Sequence, residues 1–260
     1  MYTERGHLTL AHTDASLRTM RWRAEVNKHL GVDSEVVGRQ ELREIVPPLS
    51  LDEEARYPIL GARYHKPGAI ARHDAVAWGY AIGAARRGVE VHQKTEVTGI
   101  LQDAGRVVGV ETTGGRIACE KVLQAGAGAS TLLADMAGFR LPIHTVPLQA
   151  CVTQPLKPFL DPIVVSGSLH VYVSQSPRGE LVTGASLDPY ELISMRSSLE
   201  FAESLCGQLG DLFPWLGMVH VLRQWAGLCD MTPDFSPIMG KTPIEGFYLD
   251  AGWGLSLIHI

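Results

Sequence analysis

Residues 89–128 read VEVHQKTEVTGILQDAGRVVGVETTGGRIACEKVLQAGAG. Short β-branched runs are separated by turn-forming pairs at Ala104-Gly105 and Gly114-Gly115, the pattern of strands joined by tight turns. The stretch predicts a strand, a small antiparallel meander, and a last buried strand that ends in Ala125-Gly126-Ala127-Gly128. A chain with such a centre needs a sheet, and the helical patterns on either side must cover it.

Upstream, residues 6–12 alternate and predict a strand. Asp14 is the expected cap of a helix through ASLRTMRWRAEVNKHL, with Gly31 as its stop. A short helix is expected over 39–45, because VPPL then breaks the pattern, and residues 59–65 look extended. The helix that opens near His73 carries Val76, Ala77, Tyr80, Ala81 and Ala84 at helical spacing, and Gly88 ends it. Downstream, strand-like runs at 144–153, 163–166, 169–175 and 179–185 suggest an antiparallel sheet. A long helix over about 191–209 and strands at 218–224 and 246–251 follow. The fold class expected is therefore α/β with mixed α+β character, an antiparallel layer covered by helices.

The chain has 260 residues and a formal net charge of −5, and it shows no basic cluster of the kind a nucleic-acid footprint needs. No apolar run approaches the roughly 18 residues of a membrane span, and the first twelve residues hold no apolar signal core. Cys119, Cys151, Cys206 and Cys229 are widely separated and read as free thiols of a reducing, cytoplasmic compartment. Among ten histidines no two stand at i, i+4, and no H-E-x-x-H occurs, so no metal site is expected. No G-x-S-x-G occurs, which argues against a serine hydrolase.

Two glycine-bearing stretches suggest a ligand. The strand KVLQ runs into AGAGAS and then a helix. Small residues there let a backbone approach a flat or charged group, and a helix N-terminus favours an anion. A tight strand-to-helix turn with no ligand remains the other reading. The strand FYLDAG likewise ends in Gly252-Trp253-Gly254, a place where a cofactor ring can lie against backbone.

The ordered set GARYHKPGAIARHDAVAWGYA, TEVTGI, KVLQAGAGAS, HVYVSQ, GELVTGASLD, QWAGLCDMTPDFSPIMG and GFYLDAGWG resembles the β subunits of heterotetrameric sarcosine oxidases. These are a branch of the flavin-dependent amine and D-amino-acid oxidase family. The resemblance runs over residues 5–254. The segment Thr232 to Pro237 is shared with the wider family, while ARHDAVAW and HVYVSQ narrow it.

The resemblance implies oxidation of the N-methyl group of sarcosine by a non-covalent FAD, giving glycine and a one-carbon unit as formaldehyde or methylene-tetrahydrofolate. Electrons are expected to pass to a covalent FMN and then to oxygen, giving hydrogen peroxide, in an assembly with α, γ and δ subunits. It makes His73 the FMN-linking residue and Arg72 a flavin or phosphate contact. It places the backbone of Val97, the run Ala125, Gly126, Ala127 and Gly128, and Gly252 and Gly254 along FAD. His170 and Tyr172, two apart in HVYVSQ, are expected on one face of a strand, lining the substrate pocket. Alternatives are another flavin-dependent amine or D-amino-acid dehydrogenase, or a non-catalytic assembly subunit with the same fold.

The expected division is 1–72 in a substrate or cap region, 73–140 in the FAD-binding domain, and 141–224 in an antiparallel substrate domain. Residues 225–254 then return to the FAD-binding domain. The family opens with a dinucleotide-binding βαβ unit absent here, and continues after the DAGWG segment with a lysine-bearing turn where this chain reads LSLIHI. The expectation is therefore a fragment with a non-native tail at 255–260, inactive and weak in FAD binding by itself.

Overall fold

The computed structural model describes residues 2–188 and 190–254; the tail at 255–260 lies outside them. In chain order the elements are β1 (Tyr2–Glu4), β2 (His7–Ala11), α1 (Asp14–His29), β3 (Glu35–Val37), α2 (Arg39–Ile45), β4 (Gly61–His65), β5 (Ala69–Ala71) and α3 (His73–Ala85). The meander follows as β6 (Val97–Asp103), β7 (Arg106–Thr112) and β8 (Gly115–Ala118), then β9 (Val122–Gln124) and α4 (Ser130–Ala137). The remainder is β10 (His144–Pro155), β11 (Ile163–Ser166), β12 (Val171–Gln175), β13 (Glu180–Leu187), α5 (Leu199–Leu212), β14 (Val221–Met231), β15 (Ile238–Lys241) and β16 (Phe247–Ala251).

The chain forms two compact units. One holds the chain up to Gly83 with Gln149–Ser186 and Arg196–Trp225; the other holds Ala84–Leu148, Leu187–Met195 and the chain from Ala226. The division between the two units passes through α3 and between Trp225 and Ala226.

In the first unit a mixed sheet has the order β14-β10-β13-β12-β11-β2-β4-β3. As expected, β11, β12 and β13 pair antiparallel, while β11 runs parallel to β2 on its other side. Leu8, Leu10, Val164, Val171 and Val173 point to one face and pack with Phe201, Leu205, Leu209 and Leu212 of α5. Each such side chain contributes about 1.5–3 kcal/mol on burial. The other face carries a row read straight across the registers: Val36, Arg63, Thr9, Val165, Tyr172 and Gly184.

Two helix ends differ from expectation. Thr13 caps α1, not Asp14: its extended backbone lets Oγ1 accept from the Ser16 N–H at 3.1 Å, and Ser16 Oγ accepts from the Thr13 N–H at 3.1 Å. The helix expected from 191 starts at Leu199, where Ser198 caps Phe201. Gln149 holds Ser198 there, donating to its hydroxyl at 3.1 Å and accepting from its N–H at 2.8 Å. The apolar stripe of α3 is helical as expected but unburied; no residue of this helix is buried among the described residues, and Tyr80 is 79% exposed.

In the second unit the meander turns at Ala104-Gly105 as expected, both with positive φ, and its second turn is Thr113-Gly114, with Gly115 already in β8. The strand expected from residue 89 begins only at Val97. β16 pairs parallel with β9 on one side and antiparallel with β15 on the other. Val107, Ala137, Phe247 and Leu249 form the core, with the Phe139 and Phe247 rings edge to face at 5.8 Å.

Candidate cofactor and substrate sites

Parallel pairing of β9 with β16 sets Val122 beside Phe247 and Gln124 beside Leu249. Both strands therefore release their chains at the same edge, one into Ala125-Gly126-Ala127-Gly128 and the other into Gly252-Trp253-Gly254. The carboxyl edge of parallel strands is where open α/β sheets hold ligands. A short 3-10 turn, Ala127–Ala129, leads into α4, whose N-terminus opens at this edge.

The glycines here also answer to protein neighbours. A Cβ on Gly128 would collide with Leu228, one on Gly252 with Thr232, and one on Gly126 would stand 2.7 Å from Leu133 Cδ1. The close approach inferred from the sequence is thus met by β14 and α4. Ala127 sits in the left-handed region at φ 46°, and its carbonyl accepts from Ser130 Oγ at 2.5 Å. Thr145 Oγ1 donates to the Gly128 carbonyl at 3.0 Å.

Three groups at this edge were not singled out from the sequence. Gln124 is 3% exposed, and neither atom of its side-chain amide has a hydrogen-bond partner among the described residues. Asp230, also 3% exposed, accepts from the Gly252 N–H at 2.6 Å and the Gly254 N–H at 3.4 Å. Asp250 accepts from Trp253 Nε1 at 2.6 Å. An acidic residue inside an apolar strand, as in LCDM, was the one available signal. Val97 opens β6 opposite Thr112, next to a register shift at Gly99.

The remaining predicted residues lie in the first unit. His73 is the exposed first residue of α3. Arg72 is paired with Asp74 at 2.8 Å, and that pairing first, then the Ala75 N–H, holds the Asp74 carboxyl below its usual range.

The expectation that His170 and Tyr172 alternate on one strand is corrected. β12 begins at Val171, and His170 is the last residue of the preceding turn, with φ 52°. Ser166 Oγ closes that turn by accepting from the Leu169 N–H at 3.1 Å. The same hydroxyl lies 2.8 Å from His12 Nε2, and His12 Nδ1 lies 3.0 Å from the Tyr57 carbonyl. Because a carbonyl only accepts, Nδ1 carries the proton and Ser166 donates to Nε2.

Tyr172 lies over Gly184, where a Cβ would stand 2.6 Å from its Cε1. Burial, and then Cys151, pushes its phenol above the usual value, so it remains a donor at neutral pH. Gln175, at the end of HVYVSQ, serves the fold: it accepts from the Phe159 and Leu160 N–H groups and donates to the Lys157 and Gly179 carbonyls.

The family described as FAD dependent oxidoreductase matches residues 1–260. The chain is 43% identical over 254 residues to "Sarcosine oxidase subunit beta" of Arthrobacter sp, covering 98% of this chain and 63% of that protein. It is 46% identical over 253 residues to the protein of the same name from Rhizobium meliloti (strain 1021), covering 97% and 61%. It thus spans less than two thirds of the length of either relative. A solved L-proline dehydrogenase from P. horikoshii superposes with a TM-score of 0.88 at 26% identity, over 98% of this chain and 68% of that one.

Proposed function

The chain belongs to the FAD dependent oxidoreductase family, and on that premise we propose that it serves the oxidation of a secondary amino acid, sarcosine, to glycine. The observation that carries the FAD assignment is the pair of glycine segments leaving one edge of the parallel strands β9 and β16. The unpartnered, buried amide of Gln124 beside them fits a polar ligand at that edge. Bound FAD would supply the acceptor for the hydride of the substrate's N-methyl C–H bond.

The chain's own residues then have separate tasks. The backbone of Ala125, Gly126, Ala127 and Gly128, with the N-terminus of α4, favours the phosphates. The Gly252–Gly254 turn backs the flavin ring, and Val97 offers its main chain to the adenine side. Tyr172, a neutral phenol, donates to the substrate carboxylate, and His170 stands at the turn beside it. The identity of 43% and 46% with two sarcosine oxidase β subunits supports sarcosine as substrate.

The fuller reading adds a covalent FMN on His73, with Arg72 nearby, and hydrogen peroxide as the product from oxygen. It adds formaldehyde or methylene-tetrahydrofolate as the one-carbon product, and α, γ and δ partner subunits. Support comes from the IARHDAVAW motif and from the exposure of His73 at the start of a helix with no buried residue. Four free thiols suit a cytoplasmic setting, and among the described residues no helix is long and apolar enough to cross a membrane.

The test is mass spectrometry of the denatured chain purified with its partners. A flavin-sized adduct on His73, lost in His73→Ala, is expected. An unmodified wild-type chain contradicts the FMN assignment and leaves the FAD assignment standing.

A further inference from the structure

Asp230 is a buried carboxylate near the end of β14. Its side chain accepts from the Gly252 and Gly254 N–H groups, and its main-chain carbonyl accepts from Gly254 at 3.1 Å. None of the ion pairs among the described residues includes it. Burial first, and then the neighbouring Asp230, pushes the Cys229 thiol up to about 11.

Burying a carboxylate without a cation is costly, and two backbone donors offset only part of that cost. If the turn needed only an acceptor, a neutral side chain would serve with less penalty. The same strand grips the other glycine segment, because Leu228, two residues before Asp230, fills the space a side chain on Gly128 would need. Residues 228–230 therefore brace both glycine segments.

We propose that Asp230 is a positioning residue for the bound flavin: it clips the Gly252–Gly254 turn in place and supplies a fixed negative charge that lowers the flavin's midpoint potential. The proposal rests on the reading that this turn backs the flavin ring. A negative charge held in a region of low dielectric disfavours added electrons close by. Asp250 is a second carboxylate at the turn, bonded to the Trp253 indole and part-exposed, so its charge is better screened.

The test compares wild type with Asp230→Asn, Asp230→Glu and Asp250→Asn in the FAD-loaded enzyme. Asp230→Asn is expected to raise the FAD midpoint potential and weaken FAD at least tenfold. Asp230→Glu is expected to restore the potential and only part of the affinity, and Asp250→Asn to move the potential less. A potential unchanged in Asp230→Asn overturns the charge role.

Should Asp230→Asn fail to fold, amide exchange in the wild-type chain still tests the clip. Gly252 and Gly254 N–H groups are expected to be protected, and rapid exchange at both overturns it. A wild-type enzyme without FAD overturns the cofactor reading and the charge role together, while the amide result still reports on the clip.

Discussion

Ala127 shows how much a single backbone angle reveals. Its φ of 46° is one that L residues other than glycine adopt at a cost of about 1–2 kcal/mol. Ala127→Gly is expected to stabilise the chain by about 1 kcal/mol after the entropy lost to glycine's freer unfolded state, read from the urea midpoint; an unchanged or lower midpoint would show that the angle carries no strain. The small residues of this stretch were legible in the sequence, but their reasons were not. Gly128 yields to Leu228 and Gly252 to Thr232, neighbours brought from distant parts of the chain. Gln124 carries no local mark of an unpaired amide, and the acid within LCDM signals Asp230 without saying that it accepts from the Gly252 turn. Two-residue alternation assumes a strand, and the positive φ of His170 keeps it in the turn, so that β12 starts only at Val171.

Among the elements, those with clear punctuation were read well. Helix α2 runs over Arg39–Ile45 as expected, and the meander turns at the expected Ala104-Gly105 and, one residue before the expected pair, at Thr113-Gly114. The strand β11 occupies the expected 163–166. Tertiary constraints decided the rest. Residues 191–198 have helical composition, yet the side chain of Gln149 satisfies Ser198 and the helix starts after it. Ser198→Ala removes both the cap for Phe201 and a partner of Gln149. It is expected to destabilise the first unit by about 1–2 kcal/mol, measured by thermal or chemical unfolding. A neutral result would show that Gln149 alone sets the start of α5. The strand β14 extends to Met231, well beyond the expected 224, and its later residues Ala226, Cys229, Asp230 and Met231 are buried.

At the scale of the whole molecule, two buried thiols set an alkaline limit. Burial first, and Cys206 after it, pushes Cys151 up to about 11 from an ordinary value of 9.0; Cys229 rises equally. A group that keeps its proton longer when folded contributes stability fully below about pH 9, and loses it as pH rises toward 11. The contribution is on the order of 2 kcal/mol for each thiol. The urea midpoint of wild type is expected to fall between these pH values more steeply than that of a Cys151→Ala, Cys229→Ala double variant, and parallel slopes would contradict the assignment. The family matches residues 1–260, and the proposed activity places FAD at the glycine edge of β9 and β16. The most direct measurement is anaerobic addition of sarcosine to the FAD-loaded enzyme purified with its partner subunits, while its visible flavin absorbance is followed. The account predicts rapid bleaching with one glycine formed per flavin reduced. A flavin that stays oxidised with sarcosine, yet bleaches with a chemical reductant, would contradict it.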